Sequence, residues 1–153
     1  MKQYGKLDLR NMDCMELMAE YEDNHFDLAI TSPPYNAKMH CVNGSVIPRK
    51  TGTRFGEKYK GCPDQMPLEE YEKFTIGTLT EMTRVAGLVF WNIQLLTGNR
   101  QPVFSALGAL SGLIKDVVIW NKGSAEPCIN EGMLNAQFEM IVILSRDGRA
   151  KGF

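Results

Sequence analysis

Gly87-Leu-Val-Phe-Trp-Asn-Ile93 is an apolar run of strand length with almost no polar alternation. A strand with one wet face alternates apolar and polar residues, whereas a continuous run suits a sheet covered by helices on both faces. Phe26–Thr31 (Phe-Asp-Leu-Ala-Ile-Thr) also reads as a buried strand, and it stops abruptly at Ser32-Pro33-Pro34. Asp116–Trp120 and Phe138–Leu144 read as two further strands, separated by a polar segment with Gly123, Pro127 and Gly132. Lys6–Arg10 alternates and reads as a short strand. Leu68, Tyr71, Thr75, Leu79 and Met82 recur on one helical face, which predicts a helix from Leu68 to about Arg84. A second helix is expected over Pro102–Leu110. A third runs from about Cys14 to Tyr21, opened by the capping-box form Asp13-Cys14-Met15-Glu16. The order β-α-β-loop-α-β-α-β-β predicts an α/β layered sheet, mostly parallel with an antiparallel piece near its end.

At 153 residues the chain has the length of one ordinary domain, read here as a single region over 1–153. Its 44% apolar and 23% charged residues exclude a disordered chain. The longest apolar run, Ala86–Trp91, is far short of the roughly 18 residues of a membrane-spanning helix. The opening Met-Lys-Gln-Tyr-Gly-Lys lacks the apolar core of a secretory signal, so a cytoplasmic location and no membrane partner are expected. Cys14, Cys41, Cys62 and Cys128 form no C-x-x-C pair. His40 and Cys41 with Cys62 are too scattered to read as a zinc site, so no metal is expected and the thiols read as reduced and structural.

Net charge is −1, but it is unevenly spread. The first 35 residues hold seven carboxylates against Lys2, Lys6 and Arg10. Residues 36–60 hold Lys38, Arg49, Lys50, Arg54, Lys58 and Lys60 against Glu57 alone. These six cations lie in a stretch, about 36–67, rich in Gly and Pro and without sustained period. A basic loop of this kind suits contact with a nucleic-acid phosphate backbone, or it is a solvated surface loop.

The sharpest chemical signal is Thr31-Ser32-Pro33-Pro34-Tyr35-Asn36. Following a strand directly, it is placed at the carboxyl edge of a sheet, where open α/β folds bind ligands. Two prolines fix φ and remove two N–H donors, leaving a stiff edge that presents carbonyl oxygens. Ser32 adds a hydroxyl acceptor and Tyr35 an aromatic face. Such a turn suits a planar ring that bears an exocyclic amine. Trp91 and Trp120 read as core residues rather than stacking platforms. Asn92 and Asn121 either line a pocket or serve as strand-end hydrogen bonders.

Thr31–Tyr35 resembles the catalytic motif of the amino-group DNA methyltransferases, (Asp/Asn/Ser)-Pro-Pro-(Tyr/Phe). The segment around Asp13 is similar to that family's acidic strand end, which contacts the cofactor adenosine. Gly87–Ile93, Val117–Lys122 and Phe138–Arg146 resemble its later strands. The resemblance implies an S-adenosylmethionine-dependent, Rossmann-like methyltransferase fold acting on double-stranded DNA, of the kind found in restriction-modification. Ser32, Pro33, Pro34 and Tyr35 would be catalytic, Asp13 would bind cofactor, and the six cations of the basic loop would hold DNA. Serine at position 32 favours N4 of cytosine over N6 of adenine. The motif lies near the N-terminus and no glycine-rich cofactor loop precedes or follows it, as in a permuted member represented by its catalytic half. The sheet is then expected to be incomplete, and the cofactor half to lie in a missing C-terminal part or a second polypeptide. The chain would be a fragment, a split enzyme or a degraded gene. An RNA or protein-amide methyltransferase, or a non-catalytic DNA-binding remnant, are the alternative readings.

Overall fold

A computed structural model describes residues 7–37, 41–42, 45–46, 66–123 and 137–146. Helix α1 (Cys14–Ala19) starts at Asp13, whose carboxylate accepts from the Met15 and Glu16 backbone N–H groups. It stops two residues short of the expected Tyr21. The Arg84 guanidinium holds its far end by donating to the carbonyls of Met18 at 2.8 Å and Tyr21 at 2.9 Å. Strand β1 (Phe26–Thr31) follows. Within the expected loop, β2 (Cys41–Val42) pairs antiparallel with β3 (Ser45–Val46). Then come α2 (Leu68–Val85), β4 (Ala86–Ile93), α3 (Arg100–Ala109), a 3-10 turn (Ser111–Leu113), β5 (Ile114–Asn121) and β6 (Phe138–Leu144).

The main sheet has the order β1-β4-β6-β5. Strand β1 pairs parallel with β4, from Phe26 opposite Ala86 to Thr31 opposite Trp91. Strand β6 is antiparallel to both β4 and β5. Three strands therefore run one way, and the last strand in sequence is inserted against them between β4 and β5. This is the expected mixed α/β sheet with one antiparallel strand.

Helices cover one sheet face. Tyr71, Leu79, Met82 and Val85 of α2, Val103 of α3 and Met18 of α1 enclose Val89, Trp91, Ile93, Val142 and Leu144. The strand residues in that set alternate, as residues sharing one face must. Each large side chain taken out of water here contributes roughly 1.5–3 kcal/mol of hydrophobic stabilisation.

The other face corrects the sequence-based expectation. Leu28 and Ile30, opposite Leu88 and Phe90, are 46% and 73% exposed, and Phe26 is exposed beside them. Strand β1 is thus not buried, and Gly87–Ile93 does not lie in a sheet covered on both faces by the described residues. The apolar run of β4 reflects its central place in the sheet; the described helices cover only one side. Trp91 is core as expected, but Trp120 is half exposed, because β5 is the outermost strand. The strand expected at Lys6–Arg10 is absent over its described residues, 7–10, which are irregular and exposed. Alternation alone does not make a strand, and residues 7–10 pair with none of the described strands.

Candidate active site

Beyond Thr31 the chain turns through Ser32-Pro33-Pro34-Tyr35-Asn36 at the carboxyl end of β1. The carboxyl ends of β4 and β5 and the start of β6 lie beside it. The turn is strapped to the helical layer from below. The Tyr71 hydroxyl, on α2, donates to the Pro34 carbonyl at 2.7 Å. The Asn99 amide, just before α3, donates to the Tyr35 carbonyl at 2.6 Å and to the Gln94 carbonyl at 2.9 Å. Asn36 is fully buried and left-handed, with φ of 52°. Asparagine tolerates that region better than most residues. Its amide donates to the carbonyls of Met66 and Gly98, and its oxygen accepts from the Met66 N–H at 2.7 Å. The segments that lead into α2 and α3 are thereby tied to the same turn.

Above these straps the side chains of the turn meet three residues from other strands. Asn92, near the end of β4, points its amide nitrogen at Ser32 Oγ (3.2 Å), Tyr35 Oη (2.8 Å) and Glu139 Oε2 (2.6 Å). Tyr35 donates its hydroxyl to the same carboxylate oxygen at 3.0 Å. The other carboxylate oxygen accepts from Lys122 Nζ at 2.9 Å. Glu139 is buried, and burial alone would raise its carboxyl. Donors on Lys122, Asn92 and Tyr35, with the Lys122 charge, reverse this and hold it below its ordinary value. Tyr35 moves the opposite way. Burial, aided by the neighbouring Glu139, raises its phenol against the donation of Ser32 and Asn92, so it stays a neutral donor.

The result is a rigid, polar strand-end platform. The carbonyls of Pro34 and Tyr35 are spent on scaffolding. Among the described residues no donor engages the Pro33 carbonyl, and the Ser32 hydroxyl is exposed with one donor upon it. These are the atoms left to meet a ligand.

This chain is similar to the Type II methyltransferase M.BglII of Bacillus subtilis. The two are 27% identical over 123 residues, covering 72% of this chain and 28% of the relative. The chain therefore spans less than a third of that protein's length. No family model matches the sequence.

The structure thus brings Ser32 and Tyr35 together with Asn92, Lys122 and Glu139, with Pro33 and Pro34 as the stiff turn between. Asp13 is not drawn into this cluster: its described hydrogen bonds run only to its own helix. Lys38, Arg49, Lys50, Arg54, Lys58 and Lys60 lie outside the described residues. Asn121 accepts from the Gly123 N–H in a local turn and has no described hydrogen bond to these residues. Cys14 is a free thiol and exposed; the other cysteine side chains are outside the described set. Among the described residues no group of three His, Cys, Asp or Glu could hold a metal ion, and no helix is long and apolar enough to cross a membrane. Glu139 and Lys122 were not singled out by the sequence. A lone Glu in the apolar strand Phe-Glu-Met-Ile-Val-Ile-Leu is the signal that could have found the first, since a charge there needs a partner.

Proposed function

We propose that this chain is the catalytic portion of a DNA methyltransferase that methylates the exocyclic amine of a flipped base, with N4 of cytosine favoured over N6 of adenine. The observation that carries the reading is the Ser32–Tyr35 turn, clamped at a sheet's carboxyl edge with the Ser32 hydroxyl and Pro33 carbonyl left over for a ligand. The similarity to a Type II methyltransferase supports it, and the four-stranded mixed α/β sheet is consistent with a methyltransferase-like fold.

In this reading the target base leaves the duplex and rests against the Tyr35 ring, which offsets part of the lost base stacking. The Pro33 carbonyl and the Ser32 hydroxyl accept the two amine hydrogens. That places the nitrogen lone pair out of the ring plane and directs it at the methyl donor. The contribution is orientation and electrostatic stabilisation without a covalent intermediate. The six cations of the basic loop, from Lys38 to Lys60, hold phosphates near the flipped base.

The proposed donor is S-adenosylmethionine. The described residues do not form its cradle: no glycine-rich turn follows a described strand, and Asp13 spends one carboxylate oxygen on its own helix. Residues beyond those described, or a further polypeptide carrying the glycine-rich loop, would hold it, with Asp13 contributing at most its second oxygen. The open edge of β1 and its uncovered Leu28 and Ile30 suit such an addition, because parallel sheets are ordinarily covered on both faces.

The test is expression of the full coding sequence in a host without DNA methylation, followed by mass spectrometry of its digested DNA. N4-methylcytosine that disappears in Ser32→Ala is expected. Methylation confined to adenine N6 would overturn the cytosine preference, and DNA left unmodified even when a polypeptide carrying the glycine-rich loop is co-expressed would overturn the reading.

A further inference from the structure

The Lys122–Glu139 pair has no part in the reading above, yet it is the only ion pair among the described residues that touches the candidate site. Glu139 is buried, and a carboxylate costs several kcal/mol to place there unless it is paired and fully hydrogen-bonded. Here it is both. Lys122 occupies Oε1, while Oε2 accepts from Tyr35 and from Asn92. Tyr35 carries the ring on which the base would rest, and Asn92 leads to the other residue the chemistry needs. Asn92 in turn donates to Ser32 Oγ. The Asn92 carboxamide has two N–H hydrogens, and acceptors of Ser32, Tyr35 and Glu139 all lie within reach of its nitrogen. Its oxygen is buried with no partner among the described residues. The Ser32 and Tyr35 hydroxyls can each donate or accept, so by themselves they could meet either the nitrogen or the oxygen of this amide. With the carboxylate present, only the nitrogen can face it.

We propose that Glu139, clamped by Lys122, is a positioning residue: it fixes the Tyr35 ring through the phenol and fixes Ser32 through Asn92. The chain of contacts sets which lone pair of Ser32 Oγ is already occupied and which is free for the target amine. Glu139 acts through these neighbours and does not touch the substrate. The role rests on the methyltransferase reading, but the side-chain coupling does not depend on it.

Two measurements separate the coupling from that reading. In the full chain without donor or DNA, side-chain amide NMR follows Asn92, assigned by the signal lost in Asn92→Ala. Glu139→Gln is expected to speed solvent exchange of the Asn92 amide about tenfold while the backbone spectrum away from the site stays in place. In methylation assays of the intact enzyme with its methyl donor, Glu139→Gln and Lys122→Met are expected to lower kcat about ten- to hundredfold with little change in KM for DNA. Lys122→Arg should restore most of the loss. An unchanged Asn92 amide in Glu139→Gln overturns the proposal whatever the activity, as does an effect confined to KM or to stability. Wild-type enzyme that methylates nothing, combined with a loosened Asn92 amide, overturns the methyltransferase reading and leaves the coupling standing.

Discussion

The Asn92 amide nitrogen lies 3.2 Å from the Ser32 hydroxyl, although the two residues are 60 apart in sequence. Parallel pairing of β1 with β4 makes this meeting inevitable. With Thr31 opposite Trp91, the next residue on each strand emerges at the same sheet edge. A polar residue at the end of an otherwise apolar strand is thus delivered to the turn that follows its neighbour.

Tyr71→Phe removes one hydroxyl and leaves the Pro34 carbonyl without its 2.7 Å donor. A loss of about 1 kcal/mol is expected in urea unfolding. Because the strap sits directly under the turn, methylation should fall by more than the stability change explains, with the loss in kcat.

Asn36→Ala deletes three hydrogen bonds from a fully buried side chain and places alanine at a left-handed φ. Together these should cost about 3 kcal/mol in chemical denaturation. Asn36→Gly relieves the backbone but not the lost hydrogen bonds, so it should recover only part of that cost.

Glu139 has a lowered folded-state pKa, so its contribution to stability is present above the unfolded value and fades as pH falls through the folded one. The melting temperature of the wild type should therefore decline more steeply than that of Glu139→Gln below about pH 4.3. Tyr35 has a raised pKa, and its contribution is complete below the unfolded value and fades as pH climbs through the folded one. Above about pH 10 the wild type should lose stability faster than Tyr35→Phe. Thermal melts across pH check both arms.

Asp13→Ala should cost about 1 kcal/mol by removing the cap of α1, whereas Asp13→Asn keeps an acceptor and should cost little. Donor binding measured on the pair separates the cap from the proposed adenosine contact. A cofactor role requires Asp13→Asn to bind more weakly despite its intact fold.

Much of the fold is legible from local pattern. Phe26–Thr31 and Phe138–Leu144 coincide with β1 and β6, and α2 differs by one residue from the period of Leu68, Tyr71, Thr75, Leu79 and Met82. Burial is less legible, because periodicity reports that Leu28 and Ile30 are apolar but not whether anything covers them. The small β2–β3 ladder escaped the reading of 36–67 as loop, though Asn43-Gly44 between its strands is a favoured hairpin-turn dipeptide. In the site, Ser32 to Tyr35 stand out because Pro-Pro is locally unusual. Asn36, Asn99, Lys122 and Glu139 do not, since each gains its role from a partner brought near by the sheet or by α3. Asn92 was open to either reading until β1 and β4 were paired.

Recognition of an exocyclic amine by the Ser32–Tyr35 turn can be tested without methyl donor or recognition sequence. Isotope-labelled full-length chain would be titrated with deoxycytidine monophosphate and, in parallel, with thymidine monophosphate, which carries a carbonyl where cytosine carries the amine. Saturable NMR shifts at Ser32, Tyr35 and the Asn92 side chain are expected with the cytosine nucleotide, and much weaker ones with thymidine. Equal shifts with both nucleotides, or none at these three residues, would contradict such recognition.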